Sequence, residues 1–133
     1  MKRFEKFGGW DSKLNFVDDN NVFVGFDYGH CCCESFGYYY AKDPNASKDN
    51  EIKLSEDQES MYNFDPLFHE DVVSDDNYYD AQKLTGGAVA FKLINKSDVN
   101  DVVYLILYNH HNGYYSHGFE MKVDEKQVFE GYL

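Results

Sequence analysis

Val102-Val103-Tyr104-Leu105-Ile106-Leu107-Tyr108 is the longest apolar run of the chain. At seven residues it falls far short of the about 20 that a membrane-spanning helix needs. Its β-branched, aromatic and leucine side chains leave no polar face, which reads as a strand in the middle of a sheet or between layers. Upstream, Val89, Phe91 and Leu93 alternate after Gly86-Gly87, the period of a second strand. Downstream, Asn112-Gly113 is the strongest short hairpin signal, because both central positions of a type I′ turn take positive φ. It predicts that residues 114–123 fold back on the apolar run, with Tyr115, His117, Phe119, Met121 and Val123 sharing a face. Asp124-Glu125-Lys126 then turns the chain into a last strand over 127–133.

The N-terminal part repeats the pattern. A strand over 13–17 breaks at Asp18-Asp19-Asn20-Asn21 and resumes at Val22, placing Val22, Val24, Phe26 and Tyr28 on one face and Phe23, Gly25 and Asp27 on the other. A third strand over 32–41 groups Phe36, Tyr38 and Tyr40, so the three strands form a meander. About seven strands follow in all, with no repeat and no heptads. The fold class is mainly β, an antiparallel sheet or small sandwich or barrel, with β-rich α+β as the alternative. A chain of 133 residues holds one such domain, 1–133.

Charge divides the sequence more sharply than hydropathy does. Residues 43–80 carry 12 acids and two lysines, net -10, whereas the other 95 residues are net -2, so nearly all of the formal -12 lies in one segment. That segment also holds Pro44 and Pro66 and is rich in Asn and Ser, which is loop composition. It reads as a long acidic insertion between two β regions, with Ser55 and Gln58 forming a capping box for a short helix. Such a charge argues against direct binding of nucleic acid or an anionic membrane surface and favours a cationic partner. Fully extended, the segment would space its carboxylates about 10 Å apart, too sparse to imitate duplex DNA at one charge per about 1.7 Å. Its field gains a shape only if Met61, Tyr62, Phe64, Leu67, Phe68, Val72, Val73, Tyr78 and Tyr79 pin it to the sheet.

Reactive residue types are present without a catalytic pattern. Cys31, Cys32 and Cys33 are consecutive, which supplies neither a spaced disulfide framework nor paired Cys-x-x-Cys zinc ligands. A metal site of His30, Cys31 and Cys33 with His110, His111 or His117 is the alternative to small buried thiols at a strand start. Gly-rich phosphate loops and EF-hand spacing are absent from the sequence, so no cofactor is expected. The basic Met1-Lys2-Arg3 is not followed by the apolar stretch of a secretory signal, and a cytoplasmic location is expected. Aromatic residues make up 18% of the chain, and adjacent tyrosines such as Tyr78-Tyr79 and Tyr114-Tyr115 force some outward by alternation. Exposed Tyr is what protein interfaces favour, and a homodimer through a sheet face would also use it.

Two blocks carry a resemblance. Asp27-Tyr28-Gly29 followed by Cys32-Cys33-Glu34, together with Asn112-Gly113-Tyr114-Tyr115-Ser116, resembles a family of small β-rich phage and prophage proteins to which no activity is assigned. The chain departs from that family's pattern in its extra cysteine, Cys31, and in the acidic insertion. The resemblance implies a phage-infected bacterial cytoplasm as the setting. The expectation is a non-enzymatic inhibitor that docks an acidic, Tyr-bearing surface on a basic site of a host defence protein. The residues expected to carry it are Glu51, Glu56, Asp57, Glu59, Asp65, Glu70, Asp71, Asp75, Asp76, Tyr78, Tyr79 and Tyr114. A sponge for a small nucleotide signal, bound in an aromatic pocket, is the alternative, and a Cys/His metal-dependent protein is a third.

Overall fold

A computed structural model describes residues 1–6, 12–29, 35–72, 85–111 and 117–133. Nine strands are described: β1 (Lys2–Lys6), β2 (Lys13–Val17), β3 (Val22–Asp27), β4 (Ser35–Ala41), β5 (Tyr62–Val72), β6 (Thr85–Asn95), β7 (Val102–His111), β8 (Gly118–Val123) and β9 (Lys126–Tyr132). They form two antiparallel sheets, one ordered β1-β2-β3-β8-β9 and the other β4-β7-β6-β5. The protein is mainly β, as its alternation requires. One core joins the sheets into a two-layer sandwich: Leu14, Phe16, Val24, Phe26 and Met121 from the first meet Phe91, Leu93, Val103, Leu105 and Leu107 from the second. Phe16 and Phe91 are fully buried; truncating either to Ala removes about 3–5 kcal/mol of stability.

The apolar run behaves as its composition dictates. Val103, Leu105 and Leu107 of β7 point into the shared core, while Ile106 and Tyr108 are buried on the opposite face with Tyr39, Ala41, Ala88 and Ala90. Being buried on both faces, β7 takes the centre of its sheet, between β4 and β6.

That placement corrects two expected pairings. Of the strand expected over 114–123, the described part, Gly118–Val123, does not return along β7, because both edges of β7 are occupied; β8 lies in the other sheet, between β3 and β9. Its pattern fits that position, with Phe119 and Met121 inward and Gly118, Glu120 and Lys122 outward, the alternation of a half-wet sheet. Likewise the meander stops at β3. β4 crosses to the second sheet and pairs with β7, and Phe36, Tyr38 and Tyr40 still share the core face.

Two strands were not expected at all. β1 is a charged edge strand, Lys-Arg-Phe-Glu-Lys, whose composition suits an edge that must resist further pairing. β5 lies within the stretch read as loop. Tyr62 and Phe64 are buried in the core and outweigh the loop composition, and Pro66 is tolerated because β5 is an edge strand whose register shifts between Phe64 and His69.

Candidate binding surfaces

From residue 48 onward the described part of the acidic segment is fastened to the sandwich. A single 3-10 turn over Lys48–Asn50 leads to Ile52, whose N–H donates to the Tyr40 carbonyl at 2.7 Å. The one-turn helix α1 (Glu56–Glu59) is closed by the expected capping box: Ser55 Oγ accepts from the Gln58 N–H at 3.2 Å, and the Ser55 N–H donates to Gln58 Oε1 at 2.8 Å. Glu59 then turns inward, only 2% exposed. Its carboxylate accepts from Arg3 Nε at 3.3 Å and from the Tyr40 hydroxyl. Burial, then the bond donated to the Glu59 carboxylate, pushes the Tyr40 phenol well above its ordinary value.

The expected acidic site is therefore divided. Glu59 is corrected from a partner contact to a buried anchor, since no partner reaches a carboxylate already enclosed by Arg3 and Tyr40. Glu56 and Asp57 are exposed beside it on the rim of a hollow of about 290 Å³ between α1 and β1. Glu51 is partly covered and paired with Lys53 at 3.2 Å. Asp65 is partly covered and accepts from the Leu67 N–H at 3.0 Å. Glu70 and Asp71 lie on β5, opposite Ala90 and Val89. Asp75, Asp76, Tyr78, Tyr79 and Tyr114 lie outside the described residues.

His30, Cys31 and Cys33 also lie outside them. His117, their expected metal partner, is 2% exposed; its Nδ1 is 2.7 Å from the Asp27 carbonyl and its ring stacks on Phe36 at 4.2 Å. It packs between the sheets, against Phe26 of one and Phe36 of the other. Among the described residues no three His, Cys, Asp or Glu side chains converge as a metal site.

A second surface was not anticipated. The outer face of the five-stranded sheet carries a cleft of about 400 Å³ across β2, β3, β8 and β9. Glycines hollow it out. A Cβ on Gly25 would meet the Phe23 ring at 2.8 Å, and one on Gly118 would meet Asp27 Oδ2 at 2.9 Å and the Tyr132 ring at 3.4 Å. Phe23 thus lies flat along the sheet, with Lys122 Nζ 5.6 Å from its ring centre. Tyr132, 79% exposed, stands at one end opposite Gly118. Lys13 pairs with Asp27, and Lys122 lies 3.5 Å from Glu120. The alternation of 22–28 had assigned Phe23, Gly25 and Asp27 to the wet face; what sequence could not show was β8 as the neighbour that brings Gly118 and Glu120 beside them. No protein-family model, curated protein or solved structure matches this chain.

Proposed function

We propose that the chain is a non-enzymatic binding protein, an inhibitor of the phage type, which sets its acidic face on a basic surface of a host protein. The observation that carries this reading is the anchoring of α1. Glu56 and Asp57 are exposed on a turn whose capping box, buried Glu59 and following strand hold it to the sandwich, so their charge has a fixed shape. A fixed anionic patch on a chain of net charge -12 accelerates encounter with a cationic surface and orients it. The buried carboxylates support binding over catalysis, because Asp18 and Glu59 are spent on bonds to backbone N–H groups, a phenol and a guanidinium.

The test is capture of partners from bacterial lysate at low and high salt, followed by association kinetics with the purified partner. Reversing Glu56→Lys and Asp57→Lys together is expected to slow association about tenfold and to change dissociation little. Capture that ignores salt, or an association rate untouched by the double reversal, overturns the proposal.

A further inference from the structure

We infer that the cleft on the outer face of β2, β3, β8 and β9 is a binding site for a guanidinium group, presented as the arginine side chain of a basic peptide segment. The inference stands apart from the α1 surface and holds whether or not that surface binds.

The argument begins with an unfavourable pair. Glu120 and Glu130 are directly opposite each other on the outer face of the β8–β9 ladder, where like charges destabilise a sheet. Lys122 compensates Glu120 in part, at 3.5 Å. Lys13 is engaged with Asp27 at the other side of the cleft. No described base or hydrogen-bond donor sits on Glu130, which is exposed. A like-charge pair that the described residues compensate only in part is a position that a cation from outside can complete.

The cleft also selects the kind of cation. A guanidinium can bridge two carboxylates across a strand pair through parallel N–H bonds while its plane stacks on an aromatic ring. Both elements are present: Tyr132 is on the same outer face, two residues beyond Glu130, and Gly118 opposite it leaves the ring open to solvent. The chain makes one cation–π contact of its own here, Lys122 over Phe23, showing that this face accommodates a cation against an aromatic ring. Calcium would gather six to eight oxygens, more than the Glu120–Glu130 pair supplies with Asp27 engaged by Lys13, and would gain nothing from the tyrosine. An anion is disfavoured by three carboxylates, Asp27, Glu120 and Glu130, against Lys13 in the lining. The about 400 Å³ of the cleft lies in the range of small-ligand sites and admits one arginine side chain.

The full chain, labelled with nitrogen-15, is titrated with a capped Gly-Arg-Gly peptide and with the same peptide carrying citrulline, which keeps the shape and removes the charge. Saturable shifts centred on the Gly25, Gly118 and Gly131 amides are expected with arginine only. Glu130→Gln and Tyr132→Ala should each weaken binding about three- to fivefold, the size of one exposed charged contact, while the charge-matched Asp49→Asn, at an exposed position of the 3-10 turn, leaves it unchanged. An equal response to citrulline, equal weakening by Asp49→Asn, or the absence of saturable shifts at the three glycines overturns the inference. Loss through Glu56→Gln alone would place the contact on α1 instead, so failure of the cleft is distinguishable from failure of the acidic face.

Discussion

Asp18 ties the two sheets together with one side chain. Its Oδ1 accepts from the N–H groups of Asn20 and Val22, both at 2.9 Å, closing the β2–β3 turn, and its Oδ2 accepts from the Phe64 N–H of β5 at 2.8 Å. The Asp-Asp-Asn-Asn break announced a turn, and the turn is where Asp and Asn bond backbone two residues on; the third bond, 46 residues away, has no local signature. Asp18→Ala leaves three backbone donors without their acceptor and is expected to cost about 2–4 kcal/mol in urea unfolding. The neighbouring Asp19→Ala, at an exposed position, should leave the midpoint nearly in place; equal losses at both positions would contradict this assignment. Asp101 gives a pH-dependent counterpart. Tyr62 Oη donates to it at 2.8 Å, Asn95 Nδ2 at 2.9 Å and Lys42 Nζ at 3.2 Å. These bonds, that from Tyr62 foremost, hold the carboxyl below its ordinary value, while burial and the same bond push the Tyr62 phenol up to about 12. A carboxyl lowered on folding contributes fully above its unfolded value of about 3.9, and the contribution is lost as pH falls through the folded value. Tyr62→Phe should therefore lower the melting temperature at neutral pH, with the gap to wild type closing below about pH 4. A gap constant from neutral to acid pH would separate Asp101 from this effect.

The β8–β9 hairpin shows what a turn element can tolerate. Val123 pairs with Lys126 across two residues, Asp124 with φ 51° and Glu125 with φ 70°. Both central positions are left-handed, the requirement of a type I′ turn, yet neither is Asn or Gly. Asp124→Asn with Glu125→Gly supplies the residue types that this geometry favours and is expected to stabilise by about 1 kcal/mol, read as a higher denaturation midpoint. A lower midpoint would mean that these side chains contribute more than their backbone strain costs. The same hairpin marks how far the sequence could be read. Asp124-Glu125-Lys126 and the strand after it were legible, as were the inward sets Val22, Val24, Phe26 and Val89, Phe91, Leu93, because alternation reports which face of a strand is buried. Alternation does not report which strand lies alongside. β4 and β8 were therefore assigned the right faces, but β4 was placed beside β3 and β8 beside β7, whereas β4 pairs with β7 and β8 with β3. At the site level, Glu56 and Asp57 were legible as exposed charge, whereas Glu59 two residues on differs only through Arg3 and Tyr40, which no spacing links to it.

At the scale of the molecule, 24 acids face 12 bases, and salt acts on two interactions of opposite sign. Within the chain the net effect is repulsion. Its favourable ion pairs include Lys42 with Asp101, Lys13 with Asp27 and Lys96 with Asp19, all with side chains substantially in solvent, where such pairs contribute little. Screening should remove more repulsion than attraction, because the screening length falls from about 30 Å at 0.01 M to about 3 Å at 1 M. The melting temperature is thus expected to rise by about 3–5 °C between these sodium chloride concentrations, roughly 1 kcal/mol for a chain of this size. Between the chain and a cationic partner the interaction is attraction, so the same salt should slow association. The two measurements share one cause and must move in opposite directions. A melting temperature that falls with salt would show that the ion pairs outweigh the repulsion, and the excess charge would then no longer be available in full to an outside partner.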